Sequence, residues 1–250
     1  MIDIIMHGYS GKMGKVVCDI VANEEACQIV AGIDAFLTKA PFPTFQKAMD
    51  CTVKADVIID FSTATAIPEL LAFAKKSGIP LVLCTTALTD ETQKELEETA
   101  KSVAILKSAN MSLGVNLVME LVQKAATILT EANFDIEIVE RHHNQKIDAP
   151  SGTAIAIADA MNEALKQQFS YTYDRSQVRV PRGDKEIGIH AVRGGNIVGD
   201  HEVIFAGRDE VIEINHKATS KEVFAVGAVG AAKYLAGKPP KLYSMADVMK

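Results

Sequence analysis

Positive charge is in short supply in this sequence: 26 Lys and Arg stand against 32 Asp and Glu, for a formal net charge of -6. Such a balance does not favour binding to phosphate backbones in general, so nucleic acid is set aside as a partner. Any anionic ligand must instead be drawn by a local basic site. Cysteine is scarce too, and Cys18, Cys27, Cys51 and Cys84 form no Cys-x-x-Cys pair. With no basic-then-apolar leader at the start, this favours a reduced, cytoplasmic setting. No apolar run reaches the roughly 18–20 residues that a membrane-spanning helix needs, so no membrane partner is expected. Internal repeats, low-complexity tracts and long linkers are absent, and so is tryptophan, which decides nothing. What remains is the composition of a soluble globular protein, 48% hydrophobic and 23% charged over 250 residues. That length allows one large or two modest domains without a metal or disulfide staple.

Strands and helices alternate through the first half. The opening IDIIMHGYSGKMGKVVCDIVANEEACQIVAGID reads as strand, glycine-rich turn, helix and strand, with Met13, Val16, Val17, Ile20 and Val21 at helical spacing. ADVIIDFS, IPLVLCTT and VAILK supply further strands. Between them lie a helix over AIPELLAFAKKSG, with Pro68 in its first turn and Gly78 at its end, and one over TDETQKELEETAK. A capping box between Asp90 and Gln93 is expected to open the latter. This alternation predicts a parallel sheet with helices on both faces. Near residue 110 the pattern changes: after the helix GVNLVMELVQKAATILT come strands of alternating polarity, with Gly194-Gly195 and AGRDE read as hairpin turns. The fold class is therefore α/β: a Rossmann-like parallel-sheet nucleotide domain over 1–110, completed by 220–250, and a second α+β domain over 111–219 with a mixed, largely antiparallel sheet.

GYSGKMG sets Gly8, Gly11 and Gly14 between the first strand and its helix. Glycines there permit a tight turn and close backbone approach, and the helix start attracts a pyrophosphate, although a plain strand-helix turn uses the same residues. Asp34 ends the next strand 20 residues after Gly14, where an acid accepts hydrogen bonds from an adenosine ribose. A carboxylate there repels a 2'-phosphate and Ala35 offers no guanidinium in compensation, which favours NADH over NADPH, with Lys12 and Lys39 as cations that could still reach a phosphate. DFSTAT, CTT and KSANMS fall at further strand ends, where open α/β sheets bind ligands.

ERHHNQKIDAPSGTA, residues 140–154, is the stretch richest in chemistry. Neighbours in an extended chain point to opposite sides, so His142 and His143 have different tasks. With no cysteine nearby and one histidine turned away, no metal is expected, while two surface histidines on a polar loop would be the plain reading of the pair alone. Beyond them Pro150 restricts Ala149 to extended geometry, and Ser151 can cap a helix whose first N–H groups, at Gly152 and Thr153, would face a carboxylate or phosphate. Lys146 lies between, able to bind that anion or donate a proton, and its charge makes a protonated imidazole readier to release its own. Proton donors beside an anion cradle suggest reduction of a small carboxylated substrate. A reductase of some other small carboxylate, and a non-catalytic dinucleotide sensor, stay open on these residues.

That stretch and GYSGKMG, together with GDHEVIFAGRDEVIEINHKATSKEVFAVGAVGAAKYL and the closing KLYSMADVM, resemble the 4-hydroxy-tetrahydrodipicolinate (dihydrodipicolinate) reductase family over almost the full length. The resemblance implies NAD(P)H-dependent reduction of 4-hydroxy-tetrahydrodipicolinate to tetrahydrodipicolinate in diaminopimelate and lysine biosynthesis. It implies a small cyclic dicarboxylate substrate, a homotetramer built on the sheet of the middle domain, and cofactor binding by the first domain and the C-terminal helix. His142 and Lys146 correspond to the family's proton carriers, and His143, Gly152 and Thr153 to its substrate contacts. Gly8, Tyr9, Ser10, Gly11, Lys12, Met13, Asp34, Cys84, Thr85, Thr86, Ser108, Ala109, Asn110 and Met111 fall on its cofactor-binding segments. Three positions depart from the family's habit: Cys84 stands for glycine in Gly-Thr-Thr, Met111 for a common aromatic, and Lys221 for a frequent arginine. Methionine packs less specifically than a ring, and lysine lacks the two-pronged contact of arginine.

Overall fold

The structure, a computed structural model, describes residues 1–176 and 179–250. The chain forms two compact units, one of residues 1–113 and 222–250, the other of residues 114–221.

Unit 1 begins with β1 (Ile2–His7), α1 (Lys12–Ala22), β2 (Cys27–Ile33), β3 (Thr44–Phe45) and β4 (Val57–Asp60). It continues with α2 (Ile67–Ser77), β5 (Leu81–Leu83), α3 (Asp90–Thr99) and β6 (Ala104–Lys107). Unit 2 holds α4 (Leu113–Leu129), β7 (Asp135–His142), α5 (Gly152–Ala164), β8 (Ser170–Thr172), β9 (Glu186–Arg193), β10 (Gly199–Ala206) and β11 (Val211–Ala218). The chain then returns to unit 1 as α6 (Glu222–Leu235), β12 (Lys241–Tyr243) and α7 (Met245–Val248).

The first sheet has the order β12-β6-β5-β4-β1-β2-β3 and is parallel throughout. Its strands are apolar runs because both faces are covered. Ile4, Met6, Val57 and Ile59 point to the side packed by α1 and α6, whereas Ile5, Ile58, Leu81 and Leu83 point to the side packed by α2 and α3. Successive side chains along a strand alternate, so one run of four or five hydrophobic residues serves two cores. α2 starts with proline in its first turn and stops at Gly78, whose φ of 72° is left-handed. α3 departs from the expected start. Thr89, not Asp90, is its cap: its backbone is extended and its Oγ1 accepts from the Thr92 N–H at 3.2 Å. No Asp90–Gln93 box forms, because Asp90 is already helical and the Gln93 side chain goes to Lys107 and Glu97 instead.

The second sheet is mixed, in the order β11-β10-β7-β9-β8. β10 pairs antiparallel with β7 and β11 along their lengths, while β9 runs parallel to β7 and β8. The AGRDE segment is a hairpin turn, closed by the Gly207 N–H to the Glu210 carbonyl at 2.9 Å. Gly194-Gly195 is not, since β7 lies between β9 and β10. The chain there crosses the end of β7, and its backbone bonds to that end: Gly194 N–H to the His142 carbonyl at 2.9 Å, and Asn144 N–H to the Gly195 carbonyl at 3.2 Å. α4 and α5 bury Val118, Val122, Ile157 and Met161 against Ile136, Ile138, Ile189, Val203 and Phe205 on one face of this sheet. Among the described residues no helix is long and apolar enough to cross a membrane.

Phe205 is fully buried and among the largest side chains in the molecule to be so. Phe205→Ala is expected to cost about 3–5 kcal/mol, read as a lower urea midpoint.

Candidate active site

In unit 1 the strand order reverses between β1 and β4, and open α/β sheets bind ligands beyond the carboxyl ends of strands at such a point. The glycine turn follows β1 there. Gly8 has φ of 83°, and a Cβ on it would lie 2.5 Å from the Phe61 carbonyl oxygen. A Cβ on Gly14 would lie 2.0 Å from the Gly8 carbonyl oxygen. Only glycine lets the loop fold this tightly under the start of α1. That start carries no side-chain cap on Gly11 and no acid in its first turn, so its N–H groups remain suited to a pyrophosphate.

The structure brings Asp34 to this turn. Its Oδ2 accepts from the Ser10 N–H at 3.1 Å and the Ser10 hydroxyl at 2.8 Å, and its Oδ1 from the Phe36 N–H at 3.0 Å. Lys12 is exposed and Met13 half-buried at the head of α1. Tyr9 turns inward: its hydroxyl donates to the Thr38 carbonyl at 2.9 Å and its ring meets Phe42 edge-on, leaving only its backbone toward the turn's surface. Met111 is likewise packed in the core, and its carbonyl lies so close to Gly227 of α6 that a Cβ would stand 1.8 Å away.

At the neighbouring strand ends lie Asp60, Cys84 to Thr86, and Ser108 to Asn110. Asp60 is fully buried, and its Oδ1 pairs with His7 Nδ1 at 2.7 Å and accepts from the Ser62 hydroxyl at 2.6 Å. Burial, and secondarily the Asp60 charge, push the Cys84 thiol well above its ordinary range, which disfavours the thiolate form. Thr85 is buried with no partner for its hydroxyl among the described residues, while Thr86 and Ala109 are exposed. The Asn110 side-chain oxygen accepts from the Ser112 N–H at 2.8 Å.

Unit 2 gathers the other predicted residues at the end of β7. His142 is buried and His143 half-buried, as expected of neighbours in an extended chain. Lys146 closes a turn onto the His143 carbonyl at 3.1 Å, and its ammonium pairs with Asp148 at 2.8 Å. Ser151 caps α5, accepting from the Ala154 N–H at 3.1 Å. Gly152 is exposed with open space where a side chain would be, and Thr153 is half-buried behind it. The Lys146 ammonium, as hydrogen-bond donor and as charge, holds the Asp148 carboxyl below the usual range. An anion of the chain itself therefore rests on the cation that the sequence offered to an anionic ligand.

Three further groups of this cluster carried no role in the sequence reading. Glu140, fully buried, bonds His142 Nδ1 at 2.6 Å, Arg193 at 2.7 and 2.8 Å, and the Ser151 N–H at 2.9 Å. Burial works to raise its pKa, but the bonds from Arg193, His142 and Ser151 outweigh it and keep the carboxyl below the usual glutamate range. His201 lies edge-on to His142 at 5.2 Å between ring centres, with Nε2 3.1 Å from the Ser151 hydroxyl. Glu140 stands two residues before His142, so strand alternation places both on one face, a signal that was available. Arg193 and His201 lie more than 50 residues away along the chain, and no local pattern announces them.

A parallel sheet with a glycine turn at its switch point, and a second unit carrying a buried histidine, a lysine and an open helix start, define a pyridine-nucleotide-dependent reductase. Residues 2–111 match the model of the dihydrodipicolinate reductase N-terminus, and residues 114–249 that of its C-terminus. The chain belongs to the dihydrodipicolinate reductase family. It is 50% identical over 250 residues to the 4-hydroxy-tetrahydrodipicolinate reductase of Caldanaerobacter subterraneus, covering 100% of this chain and 99% of that one. The enzyme of the same name from Clostridium perfringens is 50% identical over 254 residues, again covering 100% and 99%. Among solved structures, dipicolinate-bound dihydrodipicolinate reductase from a Paenisporosarcina species superposes with a TM-score of 0.82 at 26% identity, over 98% of this chain and 97% of that one.

Burial, and then the His142 charge, lower the His201 pKa from 6.5 to about 4. Between those values the unfolded chain binds a proton that the folded one refuses, so stability falls as pH drops through this window. The loss is expected to approach about 3 kcal/mol, and His201→Gln should remove that part of the slope in denaturant titrations at stepped pH.

Proposed function

We propose that this protein reduces 4-hydroxy-tetrahydrodipicolinate to tetrahydrodipicolinate with NAD(P)H, the activity for which its relatives are named, in diaminopimelate and lysine biosynthesis. The observation that carries the reading is the convergence of His142, Lys146 and the start of α5 in one cluster of unit 2.

Unit 1 is the dinucleotide site. The turn Gly8 to Met13 holds the pyrophosphate at the uncapped start of α1. Asp34, fixed by Ser10, takes the adenosine ribose. Cys84 to Thr86 and Ser108 to Met111 border the nicotinamide half, with the unpartnered Thr85 hydroxyl available to it and Tyr9 and Met111 shaping the site from behind through the core. When bound, the reduced nicotinamide supplies the hydride. NADH is favoured, because the Asp34 carboxylate, held by Ser10 and Phe36, repels a 2'-phosphate, with Lys12 and Lys39 the cations that could offset it.

Unit 2 is the substrate site. A ring carboxylate replaces Asp148 on the Lys146 ammonium and meets the Gly152 N–H at the start of α5, with Thr153 and His143 completing its contacts. One hydride and one proton enter per turnover, and one water leaves. His142 takes a proton from the ring as the hydroxyl leaves and returns one once the hydride has arrived, and Lys146 donates the single net proton, which departs in the water. The face of the second sheet opposite α4 and α5 carries Val139, Val192, Ile204 and Val211, of which Val192 and Val211 are 44% and 57% exposed, among ion pairs such as Arg141–Glu202. We assign this face to a homotetramer, and the protein to the cytoplasm.

Mixing the protein with the condensation product of aspartate semialdehyde and pyruvate is expected to consume reduced nicotinamide absorbance, and no consumption would refute the reading. His142→Ala and Lys146→Ala should each lower kcat by about 10²-fold or more while dinucleotide binding persists. kcat/KM should be higher with NADH than with NADPH, and Asp34→Ala should narrow the gap.

A further inference from the structure

We propose that Glu140 is a positioning residue of this reaction: it holds His142 in the tautomer with hydrogen on Nδ1, so that Nε2 exchanges the proton, and it ties the start of α5 to the same anion. This rests on the reading of His142 as a proton carrier.

The argument is one of donors and acceptors. Both oxygens of Glu140 face the Arg193 guanidinium, Oε2 at 2.8 Å and Oε1 at 2.7 Å, a two-pronged pairing that belongs to an ionised carboxylate. An ionised carboxylate only accepts. Oε2 also lies 2.6 Å from His142 Nδ1, so the hydrogen in that contact belongs to the imidazole. The other neutral tautomer would set two lone pairs against each other inside a site where neither can turn to water, since Glu140 is fully buried and His142 is 8% exposed. Nε2 is thus the nitrogen left for exchange. It lies beside Gly199, where a Cβ would come within 3.0 Å, and the glycine keeps that space clear.

The remaining bonds extend the same anion into the substrate cradle. Glu140 Oε1 accepts from the Ser151 N–H at 2.9 Å, immediately before Gly152, the first residue of α5. Arg193 NH2 donates to the Asp148 carbonyl at 2.6 Å, so it braces the motif loop as well as Glu140. The proton carrier and the anion cradle are therefore fixed to one buried group, as chemistry sensitive to small displacements requires.

The test is Glu140→Gln, which keeps the shape but offers a side chain that can donate to Nδ1. Proton-nitrogen correlation spectra of wild-type His142 at neutral pH should show hydrogen on Nδ1, and the variant should lose that preference. kcat should fall about 10²-fold or more with KM for NADH little changed, and Glu140→Asp, again an acceptor only, should recover at least tenfold over the Gln variant. Hydrogen on Nε2 in the neutral wild-type imidazole overturns the proposal, whether or not the variant folds. So does a folded Gln variant within tenfold of wild-type kcat while His142→Ala collapses, an outcome that leaves His142 as the proton carrier. Retained turnover in His142→Ala would instead sink the proton-carrier reading and this inference with it.

Discussion

A single buried anion organises unit 2. The Glu140 carboxylate has no access to water, yet it remains charged because a guanidinium, an imidazole N–H and a backbone N–H all converge on it. Removing a charge from water is costly, and only such full pairing makes it tolerable. The pairing draws together β7, which carries Glu140 and His142, the end of β9, which carries Arg193, and the residue that caps α5. Were any of the three displaced, the carboxylate would lose a partner it cannot replace. The apolar packing of α5 on the sheet sets the approximate place of these elements, and this polar hub sets their register at the site.

Unit 1 relies on a different constraint, the absence of side chains. Gly8 and Gly14 let two turns of backbone come into contact, and that closeness leaves the start of α1 open instead of capped. The contrast with α5 is informative. There Ser151 caps the helix through the Ala154 N–H, and Asp148 of the same loop pairs with Lys146. One helix start is left uncapped by glycine and the other is capped by a serine hydroxyl, two answers to the requirement that helix N–H groups find partners.

Errors in the sequence reading were local and had a common cause. Asp90 and Gln93 fit a capping pattern, but Thr89 adopted the extended backbone first and Gln93 found Lys107. Gly194-Gly195 fits a hairpin turn, but β9 paired parallel to β7 and left β10 to the other side of that strand. In each case a pattern of two or three residues was compatible with more than one partner, and the partner was chosen by segments distant in sequence.

Some features of this protein needed nothing beyond the chain. The spacing of apolar residues and glycines determined a doubly wound parallel sheet followed by a mixed one, because periods of 2 and 3.6 leave one face to bury for each element. The stretch from Glu140 to Ala154 announced two imidazoles, a cation and a helix start within 15 positions, since those groups are neighbours along the backbone. Which nitrogen of His142 carries hydrogen, which anion rests on Lys146, and why Glu140 can be buried were decided only by tertiary structure. They depend on Arg193, Gly199 and His201, which reach the site by strand pairing, and hydrogen bonds and charges are settled by distance in space, not by position in the chain.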